Sequence, residues 1–71
     1  MEILVYKTDI SHSWHVGHLN LVMNAMENIE SWTIDTEDVD KILRIVPLHS
    51  IDEHSIPKLL RNHGFYCEIL E

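Results

Sequence analysis

Three histidines recur at intervals of three residues near the start of the chain, at His12, His15 and His18. On a helix, residues three apart are surface neighbours, so His15 and His18 would be able to share one ion. His12, which we expect in the preceding loop, would close the site from above. Three imidazoles and a water form one known type of zinc shell, and imidazole also suits nickel and divalent copper. The spacing therefore predicts a site for a divalent transition metal.

The same residues also allow an interpretation without a metal cofactor. His12 and His15 would then be solvated loop residues, and His18 an exposed helix residue beside an apolar stripe. Asp9 is the only carboxylate close in sequence that would offset the charge of an ion, whereas the positive N-terminus of a helix repels a cation. The other three histidines are expected at the surface: His49, His54 and His63.

The segments around the histidines alternate between strand-like and helix-like patterns. Strands are predicted over residues 2–8, 31–36, 41–46 and 65–70, where β-branched, aromatic and other apolar residues predominate. In the last strand, Cys67 is expected to be a core residue. An acidic turn at residues 37–40 would join the second and third strands as an antiparallel hairpin.

Two segments show helical spacing of apolar residues. The first stripe runs from Val16 to Ile29, after an N-cap at Ser11 or Ser13. The second helix is expected to open at Ser50 or Asp52 and to stop at Gly64, since glycine is the usual C-terminal stop. Pro57 leaves two alternatives, because proline is poorly tolerated inside a helix. Either the regular helix starts near Ser55, or it bends at Pro57.

The predicted order is strand, helix, strand, strand, helix, strand, within a single domain over residues 1–71. Two β-α-β halves with right-handed crossovers predict an α+β fold, the ferredoxin-like βαββαβ sandwich. Its four-stranded antiparallel sheet would have the order 4-1-3-2 and would carry both helices on one face. The other face of the sheet would then have no cover from this chain.

Further features are shared with a known family: the element order over nearly the whole chain, an acidic hairpin at residues 35–38 and the ending His63-Gly64-Phe65-Tyr66. In these features the chain resembles the heavy-metal-associated domains of metallochaperones and transporter N-terminal regions. The Cys-x-x-Cys loop of that family is matched in position by His12-Ser13-Trp14-His15, and its buried methionine by Ile10. The resemblance implies a small metal-handling domain whose ion is held by the loop histidines, with a transporter domain as a partner.

A second class of function is a metal-free protein-interaction or regulatory module that uses the open face of the sheet. The first strand offers apolar residues to both faces, and Trp32 and Tyr66 fall on strands expected at the edges. An exposed apolar patch usually marks a partner. That partner would be another protein, or a second copy forming a homodimer through the sheet. No metal cofactor would be needed in this case.

Composition excludes several other classes. The net charge of −7 argues against nucleic acid as a partner, because binding to phosphates depends on Lys and Arg. The one cysteine forms no internal disulfide and favours a reducing compartment. We expect a cytoplasmic domain with no membrane insertion, because neither a secretion signal nor an apolar run of about 20 residues is recognisable. No nucleophile–base pair is evident, so we do not expect an enzyme.

Overall fold

The computed structural model describes residues 3–70, which contain the predicted four strands and two helices in the predicted order. The elements are β1 (Leu4–Thr8), α1 (Ser13–Asn24), β2 (Ile29–Asp35), β3 (Ile42–Pro47), α2 (Ser55–Asn62) and β4 (Cys67–Ile69). Glu2, the predicted start of the first strand, lies outside the described residues. The α+β class is therefore confirmed.

The four strands form one antiparallel sheet in the order β2-β3-β1-β4. Counted from the β4 edge, the same arrangement reads β4-β1-β3-β2, which is the 4-1-3-2 order expected from the sequence. β1 pairs with β3 through Leu4 and Ile45, and with β4 through Thr8 and Cys67. β1 is thus an inner strand, as its apolar residues on both faces indicate.

The core lies on one face of the sheet, where alternate residues of β1 are buried: Leu4, Tyr6 and Thr8. Ile10, just beyond the strand, continues this alternation and is also fully buried. Both helices add side chains to the same core cluster: Leu19, Val22 and Met23 from α1, and Ile56 and Leu60 from α2. Both helices therefore pack against the core side of the sheet.

The opposite face of the sheet is mixed, with apolar side chains at Val5, Ile42 and Val46 among polar ones. Lys7 lies there, 3.5 Å from an Asp40 carboxylate oxygen, and the exposed Arg44 stands across from Val5. Trp32 lies on β2, which is an edge strand as predicted, and it pairs with Ile45 and packs against the core. Strand register turns its side chain inward, so it adds no apolar surface to the open face.

Tyr66 was expected on an edge strand but lies just before β4; it is exposed, and its hydroxyl donates a hydrogen bond to the Glu68 carboxylate. Its neighbour Phe65, by contrast, is buried in the core. The Tyr66 hydroxyl near the β4 edge is therefore already hydrogen-bonded within the chain.

The boundaries of α1 differ from the prediction at both ends. The N-cap is His12, in extended conformation at φ −97° and ψ 151°, and not Ser11 or Ser13. The His12 carbonyl accepts the first helical hydrogen bond, from Val16 at 3.1 Å. The helix ends at Asn24, so the predicted continuation of the stripe to Ile29 was wrong. Ile29 instead pairs with Pro47 in the sheet, and this tertiary pairing overrides the helical spacing.

α2 follows the first of the two alternatives and begins at Ser55, so Ser50 and Asp52 do not open the helix. Asp52 instead forms the turn before it: its carboxylate accepts the His54 N–H at 3.0 Å, and its carbonyl accepts the Ser55 N–H at 3.0 Å. Pro57 is the third residue of α2. The first four N–H groups of a helix have no acceptor within it, so proline is tolerated here without a bend.

The C-terminal turn of α2 confirms Gly64 as the stop. Gly64 has a φ of +87°, a conformation that favours glycine. The Phe65 N–H donates to the Leu60 carbonyl at 2.9 Å and the Gly64 N–H to the Arg61 carbonyl at 3.0 Å, which is the Schellman motif. This turn places His63 at the end of α2 and directs Phe65 into the core.

The side chain of Thr8 joins the end of β1 to the loop that precedes α1. Its buried hydroxyl donates to the Lys41 carbonyl at 2.6 Å and accepts the Ile10 N–H at 3.2 Å. Thr8→Val keeps the shape but leaves both groups unpaired, so we expect a loss of about 1–3 kcal/mol in the free energy of unfolding in urea. Thr33→Val, at an exposed position of β2, should change it by less than about 0.5 kcal/mol. Equal effects would contradict this role of Thr8.

Candidate functional site

The loop between β1 and α1 is fixed at two points. The Ile10 side chain is fully buried. One residue earlier, the Asp9 carboxylate accepts the Tyr66 N–H at 3.0 Å. Together these contacts tie the loop to the start of β4. The beginning of α1, with its histidines, is therefore held beside the chain that leaves α2.

Six ring side chains follow one another across this region, and we call them the aromatic row. Its members are His12, Trp14, His15, Phe65, His18 and His63. The Trp14 and His15 ring centroids are 3.8 Å apart. The buried Phe65 ring contacts both His15, at 5.8 Å between centroids, and His18, at 5.1 Å. Phe65 therefore organises the histidines from the core side.

The three histidines predicted from their spacing are not gathered around one point. His12 and His15 are neighbours, with ring centroids 5.3 Å apart, but His18 contacts the other side of the row. His12 is exposed, whereas His15 and His18 are half-buried. Across residues 3–70, no group of three or more His, Cys, Asp or Glu side chains is arranged to hold a metal ion. The histidines of the row therefore form two pairs, His12 with His15 and His18 with His63.

The second pair joins His18 to His63, which sequence reasoning had placed at the surface without a role. His18 Nε2 lies 3.3 Å from His63 Nδ1, and the two rings are nearly perpendicular at 84°. A topological signal for this pairing exists in the sequence. Because β1 and β3 are antiparallel neighbours, the helices that follow them start from opposite ends of the strands and run antiparallel to each other. The first half of α1 then runs beside the end of α2.

The spacing of this pair has a direct chemical meaning. As neutral rings, one imidazole donates its N–H and the other accepts it, so one proton lies between the two nitrogens. In a tetrahedral zinc shell with Zn–N distances near 2.0–2.1 Å, two nitrogen ligands are about 3.3 Å apart. The observed separation therefore equals that of two adjacent ligands.

His15 contributes a different feature. Its Nδ1 is buried and has no hydrogen-bond partner among the described residues. Buried polar atoms in proteins are nearly always paired. This nitrogen is therefore an unsatisfied polar atom within the aromatic row.

His18 and His63 also line a groove between α1 and α2, with a volume of about 430 Å³. The remaining lining residues are apolar: Leu21, Val22, Ala25, Met26 and Leu59. The pair thus faces a solvent-accessible cleft with few polar groups. Cations and other ligands can reach it without any opening of the core.

Cys67 is fully buried in the core cluster, as predicted. Burial raises the pKa of its thiol to about 12, an effect that the nearby Arg61 guanidinium only partly opposes. The thiol is therefore protonated at neutral pH, and thiolate is the form that binds metals. Cys67 does not take part in the site.

The raised pKa of Cys67 predicts a pH dependence of stability. A thiol whose pKa is raised by folding contributes fully below its unfolded value near 9. The contribution is lost as the pH rises towards the folded value. The free energy of unfolding of the wild type should therefore fall relative to Cys67→Ala between pH 8 and 10.5, in urea titrations at each pH. A constant difference would contradict the assignment.

Comparison with known protein families, curated proteins and solved structures finds no match to this chain. The site is therefore interpreted from its own geometry. In the part of the chain that the structure describes, neither helix is long and apolar enough to cross a membrane.

Proposed function

We propose that this chain binds a divalent transition-metal ion, zinc, nickel or copper(II), with His18 and His63 as its first two ligands. The observation that carries the proposal is the 3.3 Å separation of His18 Nε2 and His63 Nδ1. Imidazole nitrogen is a preferred ligand of these ions. The proposal keeps His18 from the sequence prediction and adds His63.

His12 and His15 form a secondary pair in this proposal. Their rings are neighbours, and the buried Nδ1 of His15 has no partner among residues 3–70. They lie at the start of α1, at the positions matched to the two cysteines of the heavy-metal-associated family, with His12 as the N-cap and His15 in the first turn. With imidazoles in place of thiolates, the preference shifts from monovalent copper to divalent ions.

We further propose that the fold is the ferredoxin-like sandwich and that the chain is a metal-handling domain similar to the heavy-metal-associated family, acting in the cytoplasm. The fold proposal is supported by the βαββαβ order, the β2-β3-β1-β4 sheet and the single core shared by both helices. The family proposal is supported by the turn through Gly64 and Phe65 into β4 and by the position of the loop histidines.

The charge of the chain supports a cationic ligand. Twelve acidic residues against five basic ones give a net charge of −7. A strongly acidic protein raises the local concentration of cations and speeds their encounter with it. The histidines themselves carry no negative charge, so this field, and not a carboxylate ligand, would offset the charge of the ion.

Calorimetric titration of the full chain with zinc, nickel and copper(II) at neutral pH tests the proposal. His18→Ala and His63→Ala should each weaken zinc binding at least tenfold, about 1.4 kcal/mol, because each removes one ligand. His49→Ala and His54→Ala are matched controls. Both residues are exposed and lie outside the aromatic row, and their removal should leave the affinity unchanged.

Two results would contradict this assignment. Equal weakening by all four single variants would mean that the ion is held diffusely at the surface. Loss of binding in a His12→Ala, His15→Ala double variant, with His18→Ala and His63→Ala unaffected, would instead place the site in the loop.

The alternative function, a metal-free interaction module, is supported by a different surface from the one expected. The open sheet face carries Lys7, Arg44 and Asp40, whereas two large exposed apolar side chains lie on α1: Trp14 is 68% exposed and Leu21 72% exposed. The other exposed aliphatic side chains lie outside the helices, at Ile3, Val39, Leu48 and Leu70. Helix α1 is therefore one surface that an interaction module would use.

A further inference from the structure

α1 has no charged residue in its twelve positions, Ser13–Asn24. Neither α1 nor α2 contains an aspartate or glutamate, so all twelve acidic residues of the chain lie outside the helices. α2 carries only the basic residues Lys58 and Arg61. The helical layer is therefore a part of this acidic chain that a second acidic surface can approach with little repulsion between carboxylates.

α1 presents two apolar stripes. One is the buried stripe that includes Leu19, Val22 and Met23. The other runs through Trp14, His18, Leu21 and Ala25, whose spacing of four, three and four residues places them on one face of the helical path. A helix that is apolar around most of its circumference is normally covered on more than one side. The second stripe borders the groove that holds the histidine pair.

Gly17 lies beside this second stripe and is exposed. Apart from its two chain neighbours and the adjacent backbone of α1, none of the described residues has an atom within 4 Å of the position that a Cβ would occupy there. Packing within the chain therefore does not require glycine, although glycine is a poor helix former. A glycine on an exposed helix surface allows the backbone of another helix to approach closely.

The metal site of one chain is incomplete. The His18–His63 pair supplies two nitrogens, whereas zinc in a closed protein site takes four ligands. The described residues of one chain provide no group of three. Two copies of the pair would supply four imidazoles.

Resting on the proposed function, we propose that two copies of this chain share one metal ion. His18 and His63 of each copy are the four ligands, and α1 of one copy packs across α1 of the other at Gly17. A two-fold interface presents the same patch from both subunits. This helical patch combines the absence of acids, an exposed apolar stripe and half of a ligand set, so a second copy is the partner that it fits.

Sedimentation velocity of the full chain, with zinc and with a chelator, tests the proposal together with the calorimetric stoichiometry. We expect a monomer in chelator, a dimer with zinc, and one zinc per two chains. His63→Ala should abolish the zinc-dependent dimer, whereas His49→Ala should retain it.

Two surface variants locate the interface. Leu21→Glu adds an acid to the exposed stripe and should raise the dimer dissociation constant at least tenfold. Thr33→Glu adds the same charge at an exposed position of β2, on the sheet face, and should leave the dimer unchanged. Gly17→Gln should weaken the dimer while raising the urea midpoint of the monomer, since glutamine is the better helix former. That combination separates loss of contact from misfolding.

The outcomes distinguish this inference from the proposed function. A one-to-one zinc complex that stays monomeric would overturn the shared ion and leave metal binding in place. A dimer that persists in chelator and in His63→Ala would also overturn it, as would disruption by Thr33→Glu and not by Leu21→Glu. Absence of zinc binding in the wild type would overturn both proposals.

Discussion

The left-handed conformation of Gly64 is the constraint on which the site depends. With a φ of +87°, this residue reverses the chain at the end of α2, and the Phe65 N–H then caps the Leu60 carbonyl. A residue with a Cβ would adopt this conformation at a cost of about 1–2 kcal/mol. This one backbone angle thus determines the positions of two side chains. His63 lies beside His18, and Phe65 packs in the core against His15 and His18.

The other half of the site depends on the end of β1. Thr8 uses its hydroxyl to join the loop backbone at Ile10 to the hairpin at Lys41, and Asp9 joins the same loop to β4. These contacts determine where α1 begins, because its N-cap His12 forms no side-chain capping bond within the described residues. The fixed position of the preceding loop, and not local capping chemistry, brings the histidines of α1 to the end of α2.

The sequence predicts the elements whose signals are local. The element order, the Gly64 stop and the burial of Cys67 each follow from periodicity or from the conformational preference of one residue. The end of α1 and the orientation of Trp32 do not, since both depend on the register of β2 against β3. The same distinction holds for the site. Spacing along the chain selected His12, His15 and His18, but the closest pair joins residues 45 positions apart, which only topology reveals.

Helix α1 serves two surfaces at once. A chain of 71 residues has a small core and correspondingly marginal stability, yet α1 leaves Trp14 and Leu21 largely exposed and includes Gly17, a poor helix former. Burial in the isolated chain therefore does not explain the presence of these three residues in the helix. We propose that association does, because a partner that binds only the folded state stabilises it by mass action. In that proposal the histidine pair in the same groove would couple the association to an ion, and α1 would link metal, fold and partner.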